Sequence, residues 1–126
     1  MFSFESMGQS TILELQGLKE NFGDDNEIIV SILDMFLQEV PTDYDNLKQA
    51  VENKNYEAAG LLAHKVKSSY RTLDMETETF LLQEIENKAK NNEDLEDVHQ
   101  LFDQFNQNYQ EGLNQVKLTL DHHASL

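Results

Sequence analysis

His64 lies two positions from both Leu62 and Val66. Two residues turn a helix by about 200°, so if Leu62 and Val66 face a core, His64 faces solvent. The same solvent face carries Gly60, Lys67, Ser68 and Arg71, at −4, +3, +4 and +7 from the histidine, and Lys65 flanks it. The chain has nine Lys and Arg in all, and three of them, Lys65, Lys67 and Arg71, fall within two turns of this one imidazole. One turn to either side stand the small residues Gly60 and Ser68. Glycine costs helix stability, and nothing in the sequence gives Gly60 a structural motive. Such a group suits one chemistry. A neutral imidazole, well populated at neutral pH, can attack a phosphoryl group and hold it as a phosphoramidate. Lys67 can hydrogen-bond and neutralise the phosphoryl oxygens. Small neighbours leave room for a second protein to bring its own acceptor in line. Arg71 and Lys65 could equally serve solubility or partner steering.

The elements that must carry this face are helical. The periodicity predicts a short helix capped by Ser10, carrying Ile12, Leu13, Leu15 and Leu18 and ending near Asn21-Phe22-Gly23. Asp24 with Glu27 resembles a capping box. It opens a stripe of Ile28, Ile29, Ile32, Leu33, Phe36, Leu37 and Val40 at three- and four-residue spacing. Pro41 breaks that run or sits in the first turn of the next helix, whose stripe is Tyr44, Leu47 and Val51 with Ala50 beside it. Asn55 is a candidate N-cap for a helix from Tyr56 to about Leu73, with Ala59, Leu62, Val66, Ser69 or Tyr70, and Leu73 inward. Met75 to Lys90 follows, with Leu82, Ile85 and Ala89 inward and Asn91-Asn92 as its stop. The last helix runs from Leu95 to Leu120. Short connections between amphipathic helices favour antiparallel packing. The expected fold is therefore all-α, an up-and-down antiparallel four-helix bundle with an additional short N-terminal helix. Residues 1–126 read as one domain, with the bundle core at about 25–120 and an N-terminal segment at 1–24.

Composition narrows the function. The 126 residues are 39% apolar and 26% charged, which is globular usage. There is no Cys, so disulfides, thiolate metal sites and cysteine nucleophiles are excluded. Twenty-four Asp and Glu against nine Lys and Arg give a net charge of −15. Phosphate backbones and anionic membranes repel such a surface, so neither nucleic acid nor membrane is expected as a partner. No apolar stretch reaches membrane-spanning length, and the N-terminus lacks the features of a signal peptide. A cytoplasmic location is the default. A complete bundle in one chain favours a monomer, and the short tails favour a stand-alone protein over part of a longer hybrid kinase.

The run Ala63-His64-Lys65-Val66-Lys67-Ser68-Ser69 resembles the histidine-containing phosphotransfer (HPt) domains of two-component phosphorelays, whose pattern reads Ala-His-x-Leu-Lys-Gly-Ser. Phe36 and Leu37, Leu47 to Ala50 with Asn55, Leu73-Asp74-Met75, and Leu82 through Ile85-Glu86 extend the similarity over roughly residues 25–120. The resemblance implies that His64 is the phosphoacceptor, through Nε2, and that Lys67 is the phosphoryl-stabilising lysine. Gly60, Lys65, Ser68 and Arg71 form the docking or close-approach surface. It implies response-regulator receiver domains and a hybrid histidine kinase as partners. It implies no cofactor or metal on this chain, since Mg²⁺ belongs to the receiver, and a carrier rather than an enzyme. The basic patch would offset repulsion by the receiver's carboxylates, and Tyr44 and Leu61 could supply the contact centre. Two residues depart from the pattern. Ser68 replaces a glycine, though its hydroxyl could donate to a phosphoryl oxygen. Asp74 replaces another, tolerates the left-handed conformation, and could cap the next helix.

Other readings carry less. A bundle that binds receivers without carrying phosphate is the main alternative, with Ser68 its one hint. A kinase remnant or phosphatase lacks room for an ATP-binding domain. Glu96-x-x-His99 matches a di-iron unit, but that site needs two such units and further carboxylates, so His99 reads as a surface or boundary residue. His122-His123 read as a frayed C-terminus.

Overall fold

The computed structural model describes residues 11–126. Five helices follow one another: α1 (Gln16–Phe22), α2 (Asn26–Glu52), α3 (Tyr56–Thr72), α4 (Glu76–Asn91) and α5 (Leu95–Ala124). Helices α2 to α5 close a ring in which α2 packs on α3 and α5, and α4 packs on the same two. Short turns join them, so neighbours run antiparallel. The interior holds the expected stripes: Leu33, Val40, Leu47, Val66, Leu82, Ile85, Val98, Phe105 and Val116 are all fully buried. Burial of such side chains contributes roughly 1.5–3 kcal/mol each, which outweighs the modest helix propensity of the β-branched residues.

Local chemistry sets the helix ends. The Asn55 side chain accepts a hydrogen bond from the Ala58 N–H at 3.2 Å and caps α3 as expected. At α2 the cap is Asp25, which accepts from the Ile28 N–H at 3.2 Å, one residue later than the Asp24 box predicts. Asn92 ends α4 in the left-handed conformation, φ 55°, a geometry that Asn tolerates.

Several expectations are corrected. The Ser10 cap lies outside the described residues. Thr11 to Leu15 are not helical, and the first helix begins at Gln16. The Leu13 N–H instead donates to Thr119 Oγ1 at 2.9 Å, laying this segment along α5. Pro41 neither ends a helix nor starts one: α2 runs through it for 27 residues. Proline removes the N–H that would bond the Leu37 carbonyl, a cost of about 3 kcal/mol. Buried residues on both sides, Phe36 and Val40 before it and Tyr44 and Leu47 after it, hold the two segments on one axis. The C-terminal histidines are not frayed. His123 is buried, and its Nδ1 lies 3.0 Å from Asn26 Oδ1. Burial, then the neighbouring His122 and Lys19, hold its pKa below the usual value.

Asp74 occupies the left-handed region, φ 58°, as expected of a residue replacing glycine. It caps a different helix from the expected one. Its carboxylate accepts the Gly17 N–H at 2.8 Å, in the first turn of α1, while the N-cap of α4 is Met75, with no side-chain cap hydrogen bond. Asp74→Ala should therefore lose both the cap and the tolerance of the left-handed backbone, about 2 kcal/mol in urea denaturation. Asp74→Gly, which relieves the backbone and loses only the cap, should cost less.

Tyr70 is the largest fully buried side chain. Its ring meets Phe36 and Phe105 edge-on, with centroids 5.0 and 5.5 Å away. Its hydroxyl is buried with no hydrogen-bond partner among the described residues. Burial, followed by the charge of Glu78, pushes the Tyr70 pKa far up. A buried donor without a partner costs about 1–3 kcal/mol. Tyr70→Phe should accordingly raise the unfolding free energy by about 1 kcal/mol, read by thermal or urea denaturation.

Candidate functional site

His64 sits mid-way along α3 with its side chain 56% exposed. Its rotation is the one the spacing predicts. Val66 is fully buried and Leu62 half-buried on the opposite side. The imidazole does not stand alone, however. Nδ1 lies 2.9 Å from Oε2 of Glu86 on α4, a carboxylate only 7% exposed. The same carboxylate takes Lys67 Nζ on Oε1 at 2.7 Å and Lys90 Nζ on Oε2 at 2.8 Å. Lys67 Nζ also donates to Gln83 Oε1 at 2.7 Å. One buried anion thus gathers an imidazole and two ammonium groups.

Burial alone would raise the Glu86 pKa. The hydrogen bonds from Lys67, Lys90 and His64, with the charge of Lys67, outweigh it and hold the carboxyl down at about 2. Glu86 is therefore ionised at neutral pH and can only accept hydrogen bonds. In the neutral ring of His64 the proton must then sit on Nδ1. Nε2 keeps its lone pair, and it forms no hydrogen bond among the described residues. The arrangement fixes the tautomer and orientation of an exposed imidazole and leaves the ring's free lone pair on Nε2.

The remaining candidates divide. Lys67 is not on the solvent face. It is buried, its side chain 6% exposed, and it lies in the α3–α4 seam. Gly60 is also buried, and it has the structural motive the sequence hid. A Cβ there would stand 3.2 Å from Lys90 Cγ and 3.5 Å from Ala89 Cβ, so glycine lets α4 approach α3. Lys65 is exposed and donates to Asp43 Oδ1 at 3.1 Å. Asp43 is a buried carboxylate on α2. Ser68 is exposed, but its hydroxyl turns back to the His64 carbonyl at 3.1 Å. Arg71 is exposed one turn further along. Of the two residues expected at a contact centre, Leu61 is 64% exposed. Tyr44 is not available, being buried, stacked on Tyr109 at 3.6 Å between ring centroids and donating its hydroxyl to Asn106.

Glu86 is the residue whose part the sequence reading missed. It appeared there only as the end of a family-like segment. The available signal was a glutamate immediately after the inward-facing Ile85, on the seam rather than the outer face. No set of three or more His, Cys, Asp or Glu suited to a metal occurs among the described residues. His99 lies at the boundary, its Nε2 2.9 Å from the Tyr56 hydroxyl.

The family model of the Hpt domain matches residues 31–120, from the second turn of α2 to near the end of α5. The chain belongs to the Hpt domain family. This Hpt domain accordingly takes part in two-component phosphotransfer, in which such domains are carriers rather than conventional enzymes. Its partners belong to two-component systems, such as receiver domains and kinases. Comparison with curated proteins and with solved structures gives no match. No helix among the described residues is long and apolar enough to cross a membrane.

Proposed function

We propose that this Hpt domain is a phosphohistidine carrier in a multistep phosphorelay, taking a phosphoryl group on His64 from a receiver aspartate and passing it to another receiver. The observation that carries this reading is the exposed His64 ring whose Nδ1–H is held by the buried, ionised Glu86. In the step, the Nε2 lone pair forms the N–P bond while the aspartyl O–P bond breaks. The electron pair stays on the aspartate oxygen, which becomes a carboxylate. The proton stays on Nδ1. The product ring is then a cation, and Glu86 supplies the facing negative charge. Lys67 acts from beneath, keeping Glu86 ionised and adding positive charge near the phosphoryl group. Ser68, Lys65 and Arg71 form the approach surface, with Leu61 as its apolar member, while Gly60 lies beneath it in the seam. Mg²⁺ and most of the rate enhancement belong to the receiver, and this chain needs no cofactor of its own.

The test is a phosphoryl chase. The protein is labelled with phosphoramidate, the acid-labile phosphate is located by mass spectrometry, and a receiver domain with Mg²⁺ is added. Label on His64 that moves to the receiver is the expected result. A protein that binds receivers but takes no label would be an adaptor instead.

A further inference from the structure

The two lysines on Glu86 are not equivalent. Lys67 is 6% exposed and spends two of its N–H groups on Glu86 and Gln83. Turning it toward solvent would strip a buried carboxylate and a buried ammonium of each other, a costly step. Lys90 is 51% exposed and makes one hydrogen bond, to Oε2. That oxygen is the one His64 Nδ1 also touches, so the Lys90 ammonium already stands beside the imidazole. Its stem passes Gly60, one turn before His64, with Lys90 Cγ 3.2 Å from where a Cβ would stand. Gly60 therefore serves two ends, letting the helices approach and laying a cation next to the histidine.

We propose that Lys90 is the mobile cation of the site: it leaves Glu86 Oε2 to hydrogen-bond the phosphoryl oxygens once Nε2 carries the group, while Lys67 stays in the seam. This rests on the phosphoacceptor reading of His64. The exchange is electrostatically balanced. Phosphorylation makes the ring cationic, so Glu86 gains a stronger partner at Nδ1 as Lys90 departs, and Lys90 moves to a group of higher negative charge. No bond to carbon, nitrogen or phosphorus changes in this movement.

The experiment compares wild type with Lys90→Gln, Lys90→Arg and Gly60→Ala. Each is charged with phosphoramidate, then followed by ³¹P NMR and by single-turnover transfer to a receiver at saturating concentration. One charge-assisted hydrogen bond to a phosphoryl oxygen corresponds to about tenfold in rate. Lys90→Gln should therefore slow uptake on His64 by about tenfold and move the phosphohistidine ³¹P resonance, with helicity and receiver affinity unchanged. Lys90→Arg should restore both to near wild type, and Gly60→Ala, by displacing the stem, should fall between. Label on His64 with the same resonance and rate in wild type and Lys90→Gln would overturn the role of Lys90 and leave the carrier reading intact. Absence of label on wild-type His64 would overturn both.

Discussion

His64→Gln should reduce phosphoryl uptake by more than about 10³-fold, to the level of uncatalysed background. The amide nitrogen of glutamine has its lone pair delocalised into the carbonyl and cannot attack phosphorus, although the side chain is similar in reach. The fold should survive, because the ring is more than half exposed and makes one side-chain hydrogen bond, to Glu86. Losing that bond costs about 1 kcal/mol. The check is acid-labile phosphate at residue 64 beside a circular dichroism melt. Uptake persisting in a folded His64→Gln protein would place the phosphoacceptor elsewhere.

Glu86 should give the largest effect on stability. Glu86→Ala leaves the Lys67 ammonium buried against Gln83 alone, and stranding one partner of a buried pair costs about 3–5 kcal/mol. Glu86→Gln should be milder, because the amide oxygen can still accept from Nδ1–H or a lysine. It removes the charge that faces the phosphorylated ring, so transfer should slow by about tenfold or more. The carboxyl also predicts a pH limb. Its folded pKa is about 2 against an ordinary 4.5. A carboxyl depressed on folding stabilises the protein fully above the unfolded value, and that contribution is lost as pH falls from 4.5 toward 2. The loss amounts to at most about 3 kcal/mol. Urea denaturation at pH 7, 4 and 2.5 should show wild type and Glu86→Gln converging as the pH drops. A gap that stays constant across this range would mean that Glu86 is not held ionised by its partners.

The helix faces and the outward position of His64 were legible because period and spacing depend only on a residue's rotation about its own helix axis. Asn55 and the left-handed Asp74 were legible because their side chains act locally. What rotation cannot give is the neighbour. Lys67 is three residues from His64, about 60° around the helix, and whether that places it in water or in a seam depends on where α4 stands. Gly60 and Glu86 were opaque for the same reason. Each is intelligible only once the other helix is beside it. Asp74 was read as the cap of the helix that follows it, whereas its partner, Gly17, lies 57 residues away in sequence. Pro41 misled in the opposite direction. The local penalty is real, but packing on both sides of it overrides propensity.

The three connections, residues 53–55, 73–75 and 92–94, have a kinetic consequence. Each pairs helices adjacent in sequence, so most native contacts except those of α2 with α5 are near neighbours along the chain. Topologies of this kind pay little loop-closure entropy and fold in microseconds to milliseconds. Gly60, His64, Lys67, Gln83, Glu86 and Lys90 all lie within the single hairpin of α3 and α4. Their convergence requires only that one turn to close, and the chemistry of the imidazole is settled by the most local long-range pairing in the molecule.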